Sequence, residues 1–367
     1  MNVDSPPSSG GPARDTSSPP PSAPPPSAPP PTATPPVPAL YANALPIPNT
    51  WYFVGLSAEL RSGELRPIRM AGADWILWRG EDGQPHLQSA WCPHLGAHLG
   101  HGGKVVANEV RCPFHGFRFD GTGACTASGY NTKPPAATLR SLPITEKHGL
   151  IFVWWHEAGS PPTWEIPALD MTGWSPFALH EWKLRSHPQE TTENSVDVGH
   201  FAWVHGYTDV QTVEDLQMEG PHLFGAYSFR RLLLNQAWLP SVPFTIHVDV
   251  WGHGYSQVHV SNLPLGLRFR LIVVATPEEA DHIALRIGIS VLSFQDTPGV
   301  AKLLPTPVLR PLLVPLLLDI YRHEVEQDFD IWKNKTYMHP PALARGDGPV
   351  GQYRAWSRQF YSPGVAG

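Results

Sequence analysis

The sequence predicts an α+β protein: a small all-β domain followed by a larger domain of antiparallel sheet and packed helices. Three observations lead there. Short aromatic and apolar runs between residues 51 and 155 are separated by Gly and Asp-Gly punctuation. Longer apolar runs at Val248–Val260, Leu267–Ala275 and Ile283–Leu292 have the character of antiparallel strands. Residues 190–205 and 311–334 have helical spacing instead.

Taken in order, residues 1–45 are dominated by Pro, Ser and Ala, with runs such as Pro19-Pro20-Pro21. Such a segment has too little apolar surface to offset its ordering entropy and reads as a disordered tail of polyproline character. Order is expected from Trp51-Tyr52-Phe53-Val54, and the turns at Asp82-Gly83 and Asp120-Gly121 separate further short strands. Gly159-Ser160-Pro161-Pro162 reads as a linker. The expected division is therefore a tail at 1–45, an all-β domain at 46–160 and a second domain at 161–367.

Composition narrows the function. The chain of 367 residues is long enough for two cores, and a net charge of −6 speaks against a nucleic-acid partner. Only 3 Cys are present, too few for a disulfide framework, which favours a reducing, cytoplasmic compartment. No secretory leader is visible. The Leu-rich stretch Leu303–Ile320 is interrupted by Pro305, Pro307, Pro311 and Pro315 and contains Arg310, so a membrane span is not expected. The 18 His prompt a search for metal ligands.

The first constellation is Cys92-Pro93-His94 followed, seventeen residues later, by Cys112-Pro113-Phe114-His115. A structural zinc site of two cysteines and two histidines is the obvious alternative. Against it, each half pairs one Cys with one His, and each is followed by a glycine, Gly96 or Gly116, suited to a tight loop around a bulky cofactor. Two thiolates on one iron and two imidazoles on the other make a Rieske-type [2Fe–2S] cluster. Cys92 and Cys112 would be the inner ligands, and His94 and His115 the outer ones. Cys125, His98 and His101 lie outside the pattern.

The second constellation is Glu193-Asn194-Ser195-Val196-Asp197-Val198-Gly199-His200, with His205 five residues on. On a continuous helix Glu193, Asp197 and His200 share a face, and His205 points about 140° from His200. For both imidazoles to reach one metal the helix must widen or end between them, by a π-type bulge or at Gly199. Two imidazoles and one carboxylate on one side of Fe(II) leave positions open. Asp197 is one candidate carboxylate. Asp328 is another, because it falls in the apolar stripe Tyr321, Val325, Phe329, Trp332 of a helix expected at Asp319–Lys335. A carboxylate facing a core needs a partner, which iron, an arginine or backbone amides could supply.

Together these motifs resemble the α subunit of Rieske non-heme iron oxygenases. The family pattern C-x-H…C-x-x-H, D-x-x-H-x-x-x-x-H and a distant Asp is met by Cys92, His94, Cys112, His115, Asp197, His200, His205 and Asp328. The C-terminal part is similar to the 3-ketosteroid 9α-hydroxylase oxygenases and cholesterol 7-desaturases, through Glu326-Gln327-Asp328, Ile331-Trp332, Asp347-Gly348-Pro349-Val350, Arg354, Trp356 and Gln359-Phe360-Tyr361. Two departures are Phe117, where Trp is usual, and the proline-rich tail.

The resemblance implies an ISP-type β domain followed by a helix-grip catalytic domain, and a homotrimer in which electrons pass from a cluster to the iron of the next subunit. It also implies that Asp328 is the ligating carboxylate. Asp197 would then join His200 of its own subunit to His115 of the next. No dinucleotide fingerprint is present, so electrons are expected from NAD(P)H through a separate reductase, or a reductase and a ferredoxin. The implied reaction is oxidation of a hydrophobic small molecule by O2, by hydroxylation, desaturation or demethylation, the substrate being sterol- or steroid-like. An aromatic-ring oxygenase and a Rieske electron carrier are the alternatives. The stripe Leu312, Leu313, Leu316, Leu317 and Ile320 suggests either core packing or a cap over an apolar tunnel, with peripheral docking at a membrane.

Overall fold

A computed structural model describes residues 45–363 except 233–237, 262 and 264–265. The proline-rich segment therefore lies almost wholly outside the described residues. From Leu45 onward the described chain belongs to a single compact unit.

The N-terminal part is all β. Strands β1 (Thr50–Leu56), β2 (Leu65–Met70), β3 (Ala73–Arg79) and β4 (Pro85–Ser89) come first. Short strands β5 (Lys104–Val106), β6 (Glu109–Arg111), β7 (Arg118–Asp120), β8 (Cys125–Ala127) and β9 (Ser141–Leu142) follow, then β10 (Ile144–Lys147) and β11 (Leu150–Trp155). They form three antiparallel sheets, β1-β11-β10, β2-β3-β4-β9 and β5-β6-β7-β8. The aromatic runs make the cores. Trp75, Trp78, Phe119 and Phe152 are fully buried, each contributing about 1.5–3 kcal/mol by removal from water.

The second part is one seven-stranded antiparallel sheet in the order β12-β18-β17-β16-β15-β14-β13. Its strands are β12 (Ala178–Arg185), β13 (Thr208–Glu219), β14 (His222–Leu232), β15 (Ser241–Trp251), β16 (Tyr255–Ser261), β17 (Phe269–Glu279) and β18 (His282–Val291). The run Val248–Val260, expected as one strand, is a hairpin that turns at residues 252–254. The turn packs so closely on β1 that a Cβ on Gly254 would lie 2.0 Å from the Trp51 carbonyl oxygen. The two parts share a core, in which Phe152 meets Tyr255 edge-on at 5.0 Å and the Thr276 hydroxyl donates to the Phe53 carbonyl at 2.6 Å.

Among the described residues five helices cover this sheet or flank it: α1 (Pro188–Glu193), α2 (Val198–Trp203), α3 (Thr306–Glu326), α4 (Phe329–Asn334) and α5 (Val350–Ser357). Both expected helices are broken. The first breaks after Glu193, so Glu193 does not share a face with Asp197 and His200 but pairs with Arg354 at 2.7 Å. The second breaks at Gln327–Asp328, which puts Asp328 at the start of α4 and not within a continuous stripe. Helix α3 begins a turn earlier than expected and runs through Pro311 and Pro315. Its inner face, with Leu313 and Leu317, packs on the sheet core, while Leu312 and Leu316 face outward. No helix among the described residues is long and apolar enough to cross a membrane.

Candidate metal centres and pocket

The Cys92 and Cys112 loops repeat one backbone pattern. The Cys92 amide donates to Ala97 at 2.8 Å and the Gly96 amide returns to Cys92 at 2.9 Å. The Cys112 amide donates to Phe117 at 2.8 Å and the Gly116 amide returns to Cys112 at 3.2 Å. Gly96 and Gly116 both have φ of 72°, a left-handed conformation that the two turns require. The repeat sets the two thiols side by side in the interior, unpaired by any disulfide, with the His94 and His115 rings 4.9 Å apart and less buried. Phe117 stacks on His94 at 4.2 Å. Burial pushes the Cys92 thiol up to about 11, and His115 Nδ1 is buried with no hydrogen-bond partner among the described residues. Buried thiols and an orphaned imidazole nitrogen are a donor set that fits two irons.

The second group is His200, His205 and Asp328, whose ligand atoms all lie within 4.8 Å of one another. The α2 helix ends at Trp203, so the expected end between the two histidines is present and His205 turns back toward His200. His200 directs Nδ1 at the Asp197 carbonyl, and His205 Nδ1 lies 3.0 Å from Gln327 Oε1. With each Nδ1 carrying the proton, each Nε2 presents a lone pair, the form a metal requires. His205 Nε2 is 3.8 Å from Asp328 Oδ2. Burial pushes the Asp328 carboxyl up to about 6, against the pull of His205 and a hydrogen bond from Asn194. A buried acid so placed is suited to a cation, and the set fits a divalent iron.

Asp197 differs from its expected geometry. Its carboxylate caps α2, accepting the His200 amide at 3.2 Å, and its main-chain carbonyl rather than its carboxylate meets the His200 ring. The amides at a helix start are orphan donors, and a carboxylate one residue before them is their natural acceptor. Asp197 also borders a surface groove with His200, Asp328, Trp203 and Asp347. Gln327, beside His205, and Asn194, beside Asp328, were given no site role from the sequence, where they entered only within the segments Glu326-Gln327-Asp328 and Glu193-Asn194.

Behind the three ligands a cavity runs between the sheet and the helices. Phe229, Val248, Val260, Leu271 and Val325 line it, together with a polar group formed by Tyr207, Arg231, Tyr321 and Glu324. Of the two readings of the leucine stripe, core packing describes Leu313 and Leu317. Tyr321, Glu324 and Val325 at the end of α3 border the cavity, whereas none of the stripe residues does.

The all-β part carries a set of two cysteines and two histidines, and the sheet-and-helix part carries two histidines and a carboxylate. That combination defines a two-centre oxygenase scaffold. Residues 50–143 match the model of the Rieske [2Fe–2S] domain, and residues 153–361 match that of the 3-ketosteroid 9α-hydroxylase C-terminal domain. The cholesterol 7-desaturase of Bombyx mori is 30% identical over 334 residues, covering 86% of this chain and 70% of that one. The oxygenase component of the 3-ketosteroid-9-alpha-monooxygenase of Rhodococcus rhodochrous is 29% identical over 322 residues, 85% and 82% of the two chains. Among solved structures, Pseudomonas putida CBB5 NdmA with caffeine aligns with a TM-score of 0.65 at 17% identity, over 84% of this chain and 89% of that one, a likeness of fold. The chain belongs to the Rieske non-heme iron oxygenases, as an oxygenase component related to the steroid 9α-hydroxylases and cholesterol 7-desaturases. It is thus an oxidoreductase with a [2Fe–2S] cluster and a non-heme iron, using O2, a small-molecule substrate and a separate reductase. A catalytic domain that spans residues 153–361 rules out the electron-carrier alternative.

Proposed function

We propose that this oxygenase component oxidises a rigid apolar molecule of the sterol or steroid class. Cys92, His94, Cys112 and His115 hold the cluster, and His200, His205 and Asp328 hold the mononuclear iron. The carrying observation is the cavity itself. Its aliphatic and aromatic wall opens directly on the three iron ligands, so an apolar skeleton laid along it meets the metal. The names of the Bombyx mori and Rhodococcus relatives, which act on cholesterol and on 3-ketosteroids, support that class. When bound, the iron supplies dioxygen binding and activation. The chain's own part is to hold the imidazoles through the Asp197 carbonyl and Gln327, to exclude water with the apolar wall and to aim the substrate.

The working assembly in this reading is a homotrimer. Trp203 stands 92% exposed beside the Asp197 groove, and Trp91, Leu95, Phe114 and Tyr130 are exposed around the cluster loops. Two apolar patches of this kind on one subunit suit a head-to-tail ring, each cluster loop seated in the next subunit's groove. Asp197 is then the positioning residue between the centres. The outward row Val308, Leu312 and Leu316 on α3 suits shallow docking on a membrane, where sterols partition, from a cytoplasmic location.

The deciding experiment is aerobic incubation of iron-replete protein with a surrogate reductase, NADH and a panel of sterols, 3-ketosteroids and single-ring aromatic acids. Oxygenated or desaturated sterol products are expected. Turnover of an aromatic acid with no response to any sterol or steroid would overturn the substrate class.

A further inference from the structure

The cavity wall is not uniformly apolar. The Arg231 guanidinium and Glu324 carboxylate pair at its edge, with side chains 4% and 6% exposed. The Tyr207 hydroxyl donates to Glu324 Oε2 at 2.9 Å, and Arg231 Nη1 donates to the same oxygen at 2.9 Å. The Arg231 guanidinium lies over both phenol rings, 5.6 Å from Tyr207 and 5.2 Å from Tyr321.

The direction of each bond follows from the chemistry. A carboxylate only accepts, so Tyr207 spends its proton on Glu324 and keeps an oxygen lone pair. A guanidinium has no acceptor atom, so Arg231 beside Tyr321 leaves that phenol its own proton. Tyr321 borders the cavity, and its hydroxyl has no hydrogen-bond acceptor among the described residues. One acceptor and one donor thus border the same cavity beside the same ion pair. Tyr207 is also adjacent to the proposed iron site, its ring 5.3 Å from that of His205.

We infer that Tyr207 and Tyr321 form a recognition subsite for a substrate hydroxyl, which donates to the first and accepts from the second. A ketone oxygen can only accept, and so uses Tyr321 alone. A hydrocarbon uses neither and leaves the Tyr207 lone pair and the Tyr321 proton without a partner on binding. The inference rests on the sterol or steroid reading and sharpens it. The preferred substrate carries an alcohol rather than a ketone, which separates the cholesterol type from the 3-ketosteroid type.

The test measures equilibrium binding to the iron-loaded holoenzyme by quenching of tryptophan fluorescence, with three probes delivered in cyclodextrin: cholesterol, cholest-4-en-3-one and 5α-cholestane. The expected order of affinity is alcohol, then ketone, then hydrocarbon, with cholesterol at least about tenfold tighter than cholestane. Tyr207→Phe should weaken cholesterol binding several-fold and leave cholestenone unchanged. Tyr321→Phe should weaken both. Neither should change cholestane binding by more than about twofold, a pattern that general loosening of the pocket would not produce. Iron content and melting temperature confirm that each variant is folded. If Tyr207→Phe is not, Tyr321→Phe alone decides through its selective loss of the two oxygenated probes. Equal binding of all three probes, or ketone binding tighter than alcohol, overturns the subsite and leaves the sterol reading standing. Binding of none of the three overturns both.

Discussion

His205 Nδ1 lies 3.0 Å from Oε1 of Gln327, the residue immediately before Asp328. The break between α3 and α4 therefore serves two proposed ligands at once, orienting an imidazole through Gln327 and presenting a carboxylate through Asp328. Gln327→Ala should lower affinity for the mononuclear iron by about 10–100-fold, since the ring loses the acceptor that sets its tautomer. The check is iron content after dialysis against a weak chelator, with the visible spectrum of the cluster unchanged. Full retention of iron would remove Gln327 from the proposed site.

Asp328→Ala should reduce the metal from three irons per chain to two. Asp197→Asn should keep all three and nearly abolish turnover, because it alters a helix cap and the proposed link between centres without removing a ligand. Metal analysis beside an activity assay separates the two. The opposite pattern would exchange the roles assigned to these residues.

The cluster assignment predicts a red-brown protein. His115→Cys should shift its visible absorption, because a thiolate would replace an imidazole at the outer iron. Colourless protein containing zinc after iron-replete expression would sink the assignment.

Trp203 is so exposed that Trp203→Asp should leave the fold and iron content of each chain intact. It should nevertheless dissociate the proposed trimer, seen by light scattering coupled to size-exclusion chromatography. It should also slow reoxidation of the reduced cluster by the iron site. A variant that remains the same size as the parent protein would place the interface elsewhere.

Acid should destabilise the fold through two buried histidines. Burial holds His187 down to about 4 and His253 down to about 3. Both values lie below the usual value near 6.5, so the unfolded chain binds more protons as pH falls through that range. Their contribution to stability is present above 6.5 and is lost progressively as pH falls toward the folded values, by up to about 1.4 kcal/mol per pH unit for each. Urea midpoints of wild type and His253→Phe at pH 7.5 and 5.5 test this. The difference should shift in favour of the variant at the lower pH, and a constant difference would refute it.

Much of the site was legible before any fold was known, because metal chemistry is local in sequence. Cys92 and His94 share one turn, Cys112 and His115 another, and the glycine after each half marks the loop that the cofactor needs. His200 and His205 declared themselves in the same way. Their spacing required the helix to widen or end between them, and it ends at Trp203.

What the sequence could not determine depends on contacts between distant residues. Helical periodicity ran straight through residues 193–198 and 326–329, yet both helices break there. Glu193 is drawn to Arg354, 161 positions away, and Asp328 turns toward His205, 123 positions earlier. Prolines 311 and 315 were local signals against a membrane-spanning helix, and both lie inside α3, whose inner face packs on the sheet. The pairing of Arg231 with Glu324, and with it the proposed acceptor and donor of Tyr207 and Tyr321, has no sequence signature at all. A buried charge can exist only where the fold brings its partner, so that feature was settled by the tertiary structure alone.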